Sequence, residues 1–185
     1  KSCAEASYPQ STGKSALPRH DKASGKVVPV KKLRDGVWGV RPRNKEQHFA
    51  LDLLLNDDIK LVTLVGKAGT GKTLLAIAAG LNLVAEGRFK SLVLTRPHVL
   101  LEGEVMTPVS RAETGADDQL TPLEDVLQEL IGHDELQRRL EHGQIQILPL
   151  GRLRGRTFNE AFIVLDEAQN MTVKKMRMAV TRLGR

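Results

Sequence analysis

The chain has 185 residues, 41% of them apolar, a single cysteine and a formal charge of +6, which is enough apolar material for one domain with a real core. A lone Cys3 excludes an internal disulfide and a cysteine-based metal cluster, and makes a reducing compartment, the cytoplasm, the expected location. The five histidines show no ligand spacing, and no run approaches the roughly 18 apolar residues of a membrane span. Because the chain begins on Lys1 and not on Met, a natural start upstream is expected, and targeting signals are not read from it.

The charge resembles a nucleic-acid signal until it is divided. Residues 1–35 hold eight Lys and Arg against three acidic residues, which leaves +1 for residues 36–185. Within that part, residues 102–135 hold ten acids and one Arg, whereas 138–185 hold ten bases and four acids. A basic C-terminal third suits phosphate groups, although scattered solvated charge reads the same way.

In chain order, residues 1–35 are rich in Ser, Lys, Pro and Gly with few large apolar residues, and read as a flexible basic linker. The ordered domain is expected over 36–185. "RPRNKEQHFALDLLL" reads as a helix with Asn44 as N-cap and Gln47 at the third helical position, as in a capping box. "IKLVTLV" (59–65) is a β-branched apolar run, expected to be a buried strand. "LLAIAAGLNLVAEG" repeats apolar residues at helical spacing and stops at Gly87, and "KSLVLTRP" is a second strand ended by Pro97. Residues 101–120 are acidic, aperiodic and punctuated by Gly and Pro, and predict an exposed connection. "TPLEDVLQELIGHDELQRRLEHG" predicts a helix capped by Thr121, with Pro122 in its first turn and Glu124 completing the box, split in two at Gly132. A third strand "QIQILPL", a basic loop "GRLRGRTFN", a fourth strand "AFIVLDEAQN" and a last helix "TVKKMRMAVTRL" complete the chain. Alternating strands and helices predict an α/β domain whose parallel sheet is covered on both sides.

Between the first strand and its helix lies "GKAGTGKT", the spacing GxxxxGK(S/T) of a loop that cradles phosphates. The glycine five positions before the Gly71-Lys72 pair lets the backbone curl, so that the N–H groups of Gly66, Lys67, Ala68, Gly69, Thr70 and Gly71 aim inward. A rival "TGKS" at 12–15 has Tyr8 where that glycine is needed and no strand before it, so it reads as a chance match. Asp166 and Glu167 end the fourth strand, at the sheet edge where open α/β sheets bind ligands. In that arrangement Thr73 and Asp166 hold Mg²⁺, Lys72 neutralises the β- and γ-phosphates, and Glu167 polarises the attacking water. The plainer reading has Asp166 and Glu167 capping the helix that begins near Thr172.

With these residues in view, "WGVRPRNKEQHFALDLLL", "LVTLVGKAGTGKTLLAIAAGL", "LVLTRP", "ILPLGRLRGRTFNEAFIVLDEAQNMT" and "TRLGR" resemble the PhoH-like proteins, P-loop ATPases related to the cores of superfamily 1 helicases. The likeness covers roughly residues 36–100 and 140–185, and is nearest the branch carrying an N-terminal PIN ribonuclease domain. It implies a RecA-like P-loop NTPase fold, ATP and Mg²⁺ as cofactors, RNA as macromolecular partner, and a ring of subunits. It also implies that Gln169 closes a "DEAQ" motif that senses the γ-phosphate, and that Gln47 bonds the adenine edge, which competes with its capping role. Trp38 stacks near the base or packs the entry of the domain. Arg96, Arg152, Arg154 and Arg156 are candidates for nucleic-acid phosphates, or are solvated; Arg154 and Arg156 are expected to alternate along an extended loop.

Two departures from the family pattern stand out. "HVLLEGEVMTPVSRAETGADDQL" is acidic where the family has a glycine-rich segment. The chain also stops at Arg185, before the strand expected to bring a polar sensor beside the γ-phosphate, so the domain is expected to be incomplete at its C-terminus, to bind ATP and to hydrolyse it slowly. A GTPase would need an Asn-Lys-x-Asp reader after the loop, and a small-molecule kinase would not need "DEAQ". A non-hydrolysing nucleotide-dependent switch is the remaining alternative.

Overall fold

A computed structural model of the chain describes residues 17–21, 25–30, 33, 35–97 and 120–184. Strands β1 (Pro18–Asp21) and β2 (Lys26–Pro29) form an antiparallel hairpin with Pro18 opposite Pro29. A pure linker reading of residues 1–35 does not anticipate this pairing. Gly25, at φ +66°, leads into β2, the Val27-Val28 pair favours extended backbone, and Arg19 reaches across to Asp52 at 2.8 Å. Contact with the domain thus supplies what the composition of the segment lacks. The rival "TGKS" and the acidic segment after Pro97 lie outside the described residues.

Helix α1 (Lys45–Leu54) begins where predicted, with the Asn44 side chain accepting the Gln47 N–H at 2.9 Å. Its Leu51 packs with Leu75 and Ala79 of α2 (Lys72–Ala85). The segment between them corrects the sequence reading, because residues 59–65 form no strand. Leu61 and Val65 are 65% and 91% exposed, and only Leu64 packs against the main core cluster. The physical reason lies in pairing: a strand needs a neighbour to bond its N–H and C=O groups, and among the described residues no strand pairs with this run. Apolar alternation reports a wish to be buried, but not the partner.

The remaining elements follow the predicted order: β3 (Ser91–Arg96), α3 (Thr121–Ile131), α4 (His133–Glu141), β4 (Ile145–Pro149), β5 (Ala161–Leu165) and α5 (Val173–Val180). Gly132, at φ +77°, divides α3 from α4 as expected. The predicted Thr121 cap is shifted by one residue: Leu120 is the cap position and no side chain bonds there. Pro122 in the first turn, which donates no N–H, lets the helix start without that bond.

The sheet is parallel in the order β4-β3-β5, with Leu92 opposite Ile145 on one side and Phe162 on the other. Side chains alternate between its faces. Leu92, Leu94, Ile145, Phe162 and Val164 join Ile77 and Leu81 of α2 with Leu123, Leu127 and Leu136 of α3 and α4. Val93, Leu148, Ile163 and Leu165 turn the other way, onto Leu150, Leu153, Phe158 and Ala179. Both faces are covered, which is why β3 is buried almost throughout. Beyond α5, Leu183 makes a parallel bridge to Phe158, just upstream of β5.

Helix α2 lies close against the sheet at Gly80, where a Cβ would sit 2.6 Å from Leu92 Cδ1 and 2.9 Å from Phe162 Cδ1. Leu92 is fully buried and cannot swing aside. Gly80→Val is therefore expected to destabilise the fold by about 1–3 kcal/mol through overpacking, measured by urea denaturation monitored through Trp38. An unchanged midpoint would show that helix and sheet are not so tightly apposed.

Candidate phosphate-binding site

The glycine-rich loop hangs between the unpaired run and the start of α2. Gly69 and Gly71 hold φ +74° and +79°, a left-handed conformation that costs other residues about 1–2 kcal/mol each. Gly71 is the N-cap of α2 and no side chain bonds that end, so its first N–H groups and the positive end of the helix dipole face the loop. Lys72 folds back over this curl. Its ammonium donates to the carbonyls of Gly66 at 3.0 Å and Lys67 at 2.8 Å, while the Thr70 hydroxyl donates to the Lys67 carbonyl at 2.8 Å.

The next residue reaches the other half of the site. The Thr73 hydroxyl donates to Asp166 Oδ1 at 2.8 Å, bridging positions 93 residues apart in sequence. Asp166 is held in turn by its own N–H, which donates to the Thr95 carbonyl at 2.9 Å and extends the β3–β5 ladder one step past the strand. Thr73 and Asp166 offer oxygen donors only, the class a hard divalent cation takes. A hard divalent cation such as Mg²⁺ would be held by these two residues.

Glu167 follows in a left-handed conformation, φ +50°, and starts a short 3-10 turn, Ala168–Asn170. The Gln169 amide donates to the Glu167 carboxylate. Arg96, at the tip of β3, faces both acids: its Nε lies 3.8 Å from Asp166 Oδ2 and its Nη2 lies 3.4 Å from Glu167 Oε1. Helix α5 is capped by Thr172, whose hydroxyl accepts the Lys175 N–H at 3.3 Å. Asp166 and Glu167 thus have partners other than that helix, and the capping reading of the two acids does not hold.

Gln47 does something neither sequence reading described. Its carbonyl oxygen accepts the Arg43 N–H at 2.6 Å, and its amide donates to the Thr70 carbonyl at 3.1 Å. One side chain ties the entry of α1 to the phosphate loop. The signal was present in the Asn44-to-Gln47 spacing, but the partner lies 23 residues away. Trp38 packs against the main core cluster, with the Arg139 guanidinium 5.3 Å from its ring centre. Hydrogen bonds from Arg139, and secondarily Arg138, hold the Glu135 carboxyl below its usual range. Trp38 therefore packs the domain, as one of its two readings expected.

Arg152 lies in a 3-10 turn, Leu150–Leu153, that directly follows β4. Arg154 and Arg156 are exposed, but Gly155 between them sits at φ +78° and turns the chain, so the expected alternation along an extended loop is replaced by a bend. A hollow elsewhere, lined by Arg19, Leu33, Asp52, Leu55, Asp57 and Arg88, shares none of the phosphate-loop residues. Its charges pair among themselves, Arg19 with Asp52 and Arg88 with Asp57. Among the described residues no helix is long and apolar enough to cross a membrane.

The chain is similar to several known proteins. Protein PhoH2 of Bacillus subtilis is 42% identical over 153 residues, covering 80% of this chain and 35% of the relative. Protein PhoH2 of Thermobispora bispora is 32% identical over 186 residues, covering 95% and 42% respectively. A PhoH-like protein of Bacillus subtilis is 41% identical over 124 residues, or 67% of this chain and 39% of its own length. The chain therefore spans about two fifths of the length of these relatives. Residues 39–185, from Gly39 through the phosphate loop and both acids, match the family described as PhoH-like protein, and the chain belongs to that family of P-loop NTPases.

Proposed function

We propose that this chain is the nucleotide-binding core of a Mg²⁺-dependent ATPase, coupled to RNA binding or remodelling. The observation that carries the reading is the 2.8 Å contact between the Thr73 hydroxyl and Asp166, which supports a pair of oxygen donors able to hold the metal together. When bound there, Mg²⁺ supplies positive charge against the phosphate oxygens. Everything else is the work of the chain's own residues. The loop N–H groups from Gly66 to Gly71 and the end of α2 orient the triphosphate. Lys72 exchanges its two carbonyl partners for the β- and γ-phosphates, which form stronger, charge-assisted hydrogen bonds. Glu167 takes a proton from the attacking water, and Gln169, already bonded to Glu167, reports on the γ-phosphate. Gln47 stands where loop and base would meet.

RNA enters from the basic side of the same sheet edge, where Arg152, Arg154 and Arg156 are exposed after β4. The second reading, a nucleotide-dependent switch that does not hydrolyse, is favoured by one observation: Glu167 is engaged by Arg96 and by Gln169 and is not free.

Calorimetric titration with ATP tests the site itself. One-site binding is expected with Mg²⁺ present, weakening when EDTA removes the ion; no heat with Mg-ATP would end both readings.

A further inference from the structure

Among the described residues, Arg96 is the one that pairs with both acids. It lies at the last position of β3, opposite Pro149 at the end of β4, so its neighbours on one side are Asp166 and Glu167 and on the other the basic turn that starts at Leu150. Its side chain is about a quarter exposed, and that of Glu167 about a third. The pair is therefore open to competition from an incoming anion. Glu167 also holds a backbone conformation that a residue with a side chain adopts reluctantly. Its carboxylate pairs with Arg96 on one side and accepts from Gln169 on the other, so a strained residue is fixed by its side chain.

We propose that Arg96 is a positioning residue that latches Glu167, and that a single-stranded RNA phosphate releases the latch by taking Arg96 for itself. The proposal rests on the reading of Glu167 as the base for ATP hydrolysis. While Arg96 is paired, the Glu167 carboxylate is engaged by the guanidinium at 3.4 Å. A phosphate diester is an equally good partner for a guanidinium, and the arginines that follow β4 would hold the strand close by. Exchange of partners then frees Glu167 to turn toward the phosphate loop. Binding of RNA and availability of the base become linked, and the linkage acts in both directions.

That reciprocity allows a test that does not depend on turnover. The affinity of a short fluorescein-labelled poly(U) strand would be measured by anisotropy at low salt for the wild-type chain, Arg96→Ala, Glu167→Gln and the double variant. Glu167→Gln, by removing the nearer of the two acidic partners of Arg96, is expected to tighten binding about 3- to 5-fold, the scale of a partly exposed ion pair, and Arg96→Ala in that background to cancel the gain. Additive effects, or a strand that binds none of the four, would overturn the latch. Turnover supplies the second arm. Arg96→Ala should raise basal kcat with KM for ATP unchanged and abolish stimulation by poly(U), and Arg96→Lys, which keeps the charge, should restore part of the low basal rate. A fall in kcat for Arg96→Ala would instead make Arg96 a contributor to the reaction and refute the latch. Should Glu167→Gln retain full turnover, the hydrolysis reading fails, and the binding cycle still reports whether the two residues are coupled.

Discussion

Glu167→Gln is expected to lower ATP turnover by about 10²- to 10⁴-fold, the contribution of a well-placed general base, while Mg-ATP binding stays within a few-fold of wild type. The amide keeps the shape of the side chain and can still accept from Gln169, but it loses the ion pair with Arg96 and cannot take up a proton from water. Little stability should be lost, because the ion pair that disappears is partly exposed and screened. The measurement is steady-state phosphate release beside calorimetric binding on the same preparation. A drop in turnover with binding retained is the signature of a step made only in the transition state. Equal turnover for the two proteins would leave the switch reading standing and remove Glu167 from the chemistry.

Lys72→Ala has the second large effect, and it falls on binding. Lys72 bonds two main-chain carbonyls that are themselves exposed, so water replaces it there at small cost. No such substitute exists for the β- and γ-phosphates. Loss of its charge-assisted hydrogen bonds removes about 2 kcal/mol or more, which is a loss of about 30-fold in affinity. The expected result is a protein with the melting temperature of wild type that no longer retains Mg-ATP at micromolar concentration. A large fall in melting temperature would assign Lys72 to the architecture of the loop, and unchanged affinity would contradict the phosphate reading.

The parts of the site legible in the sequence were those encoded locally. GxxxxGK(S/T) followed by apolar residues at helical spacing defines the loop and α2, because both are built from neighbours in the chain. Asp166 and Glu167 at the end of an apolar run define the opposite wall, and the Asn44 cap was readable from its spacing to Gln47. What was not legible depends on contacts between distant segments. Nothing in "LTRP" shows that Arg96 meets Asp166 and Glu167, since that contact arises only once β3 and β5 lie side by side with Thr95 opposite Leu165. The tie from Gln47 to Thr70 is hidden for the same reason. The hairpin at 18–29 escaped notice because its order comes from docking through Arg19 and not from its own composition. Residues 59–65 erred in the opposite direction: their pattern fits a strand well, but a strand is a property of two segments, and hydropathy describes one.

That last segment has a mechanical consequence for the phosphate loop. Downstream, Gly71 runs into a helix seated firmly on the sheet through Ile77, Gly80 and Leu81. Upstream, residues 60–65 share no ladder with any described strand, and Leu64 alone is anchored in the core. The loop is thus clamped at one end and loosely moored at the other. Lifting its Gly66 end away from α2 would break the Lys72 hydrogen bonds to the Gly66 and Lys67 carbonyls, but no sheet hydrogen bond among the described residues.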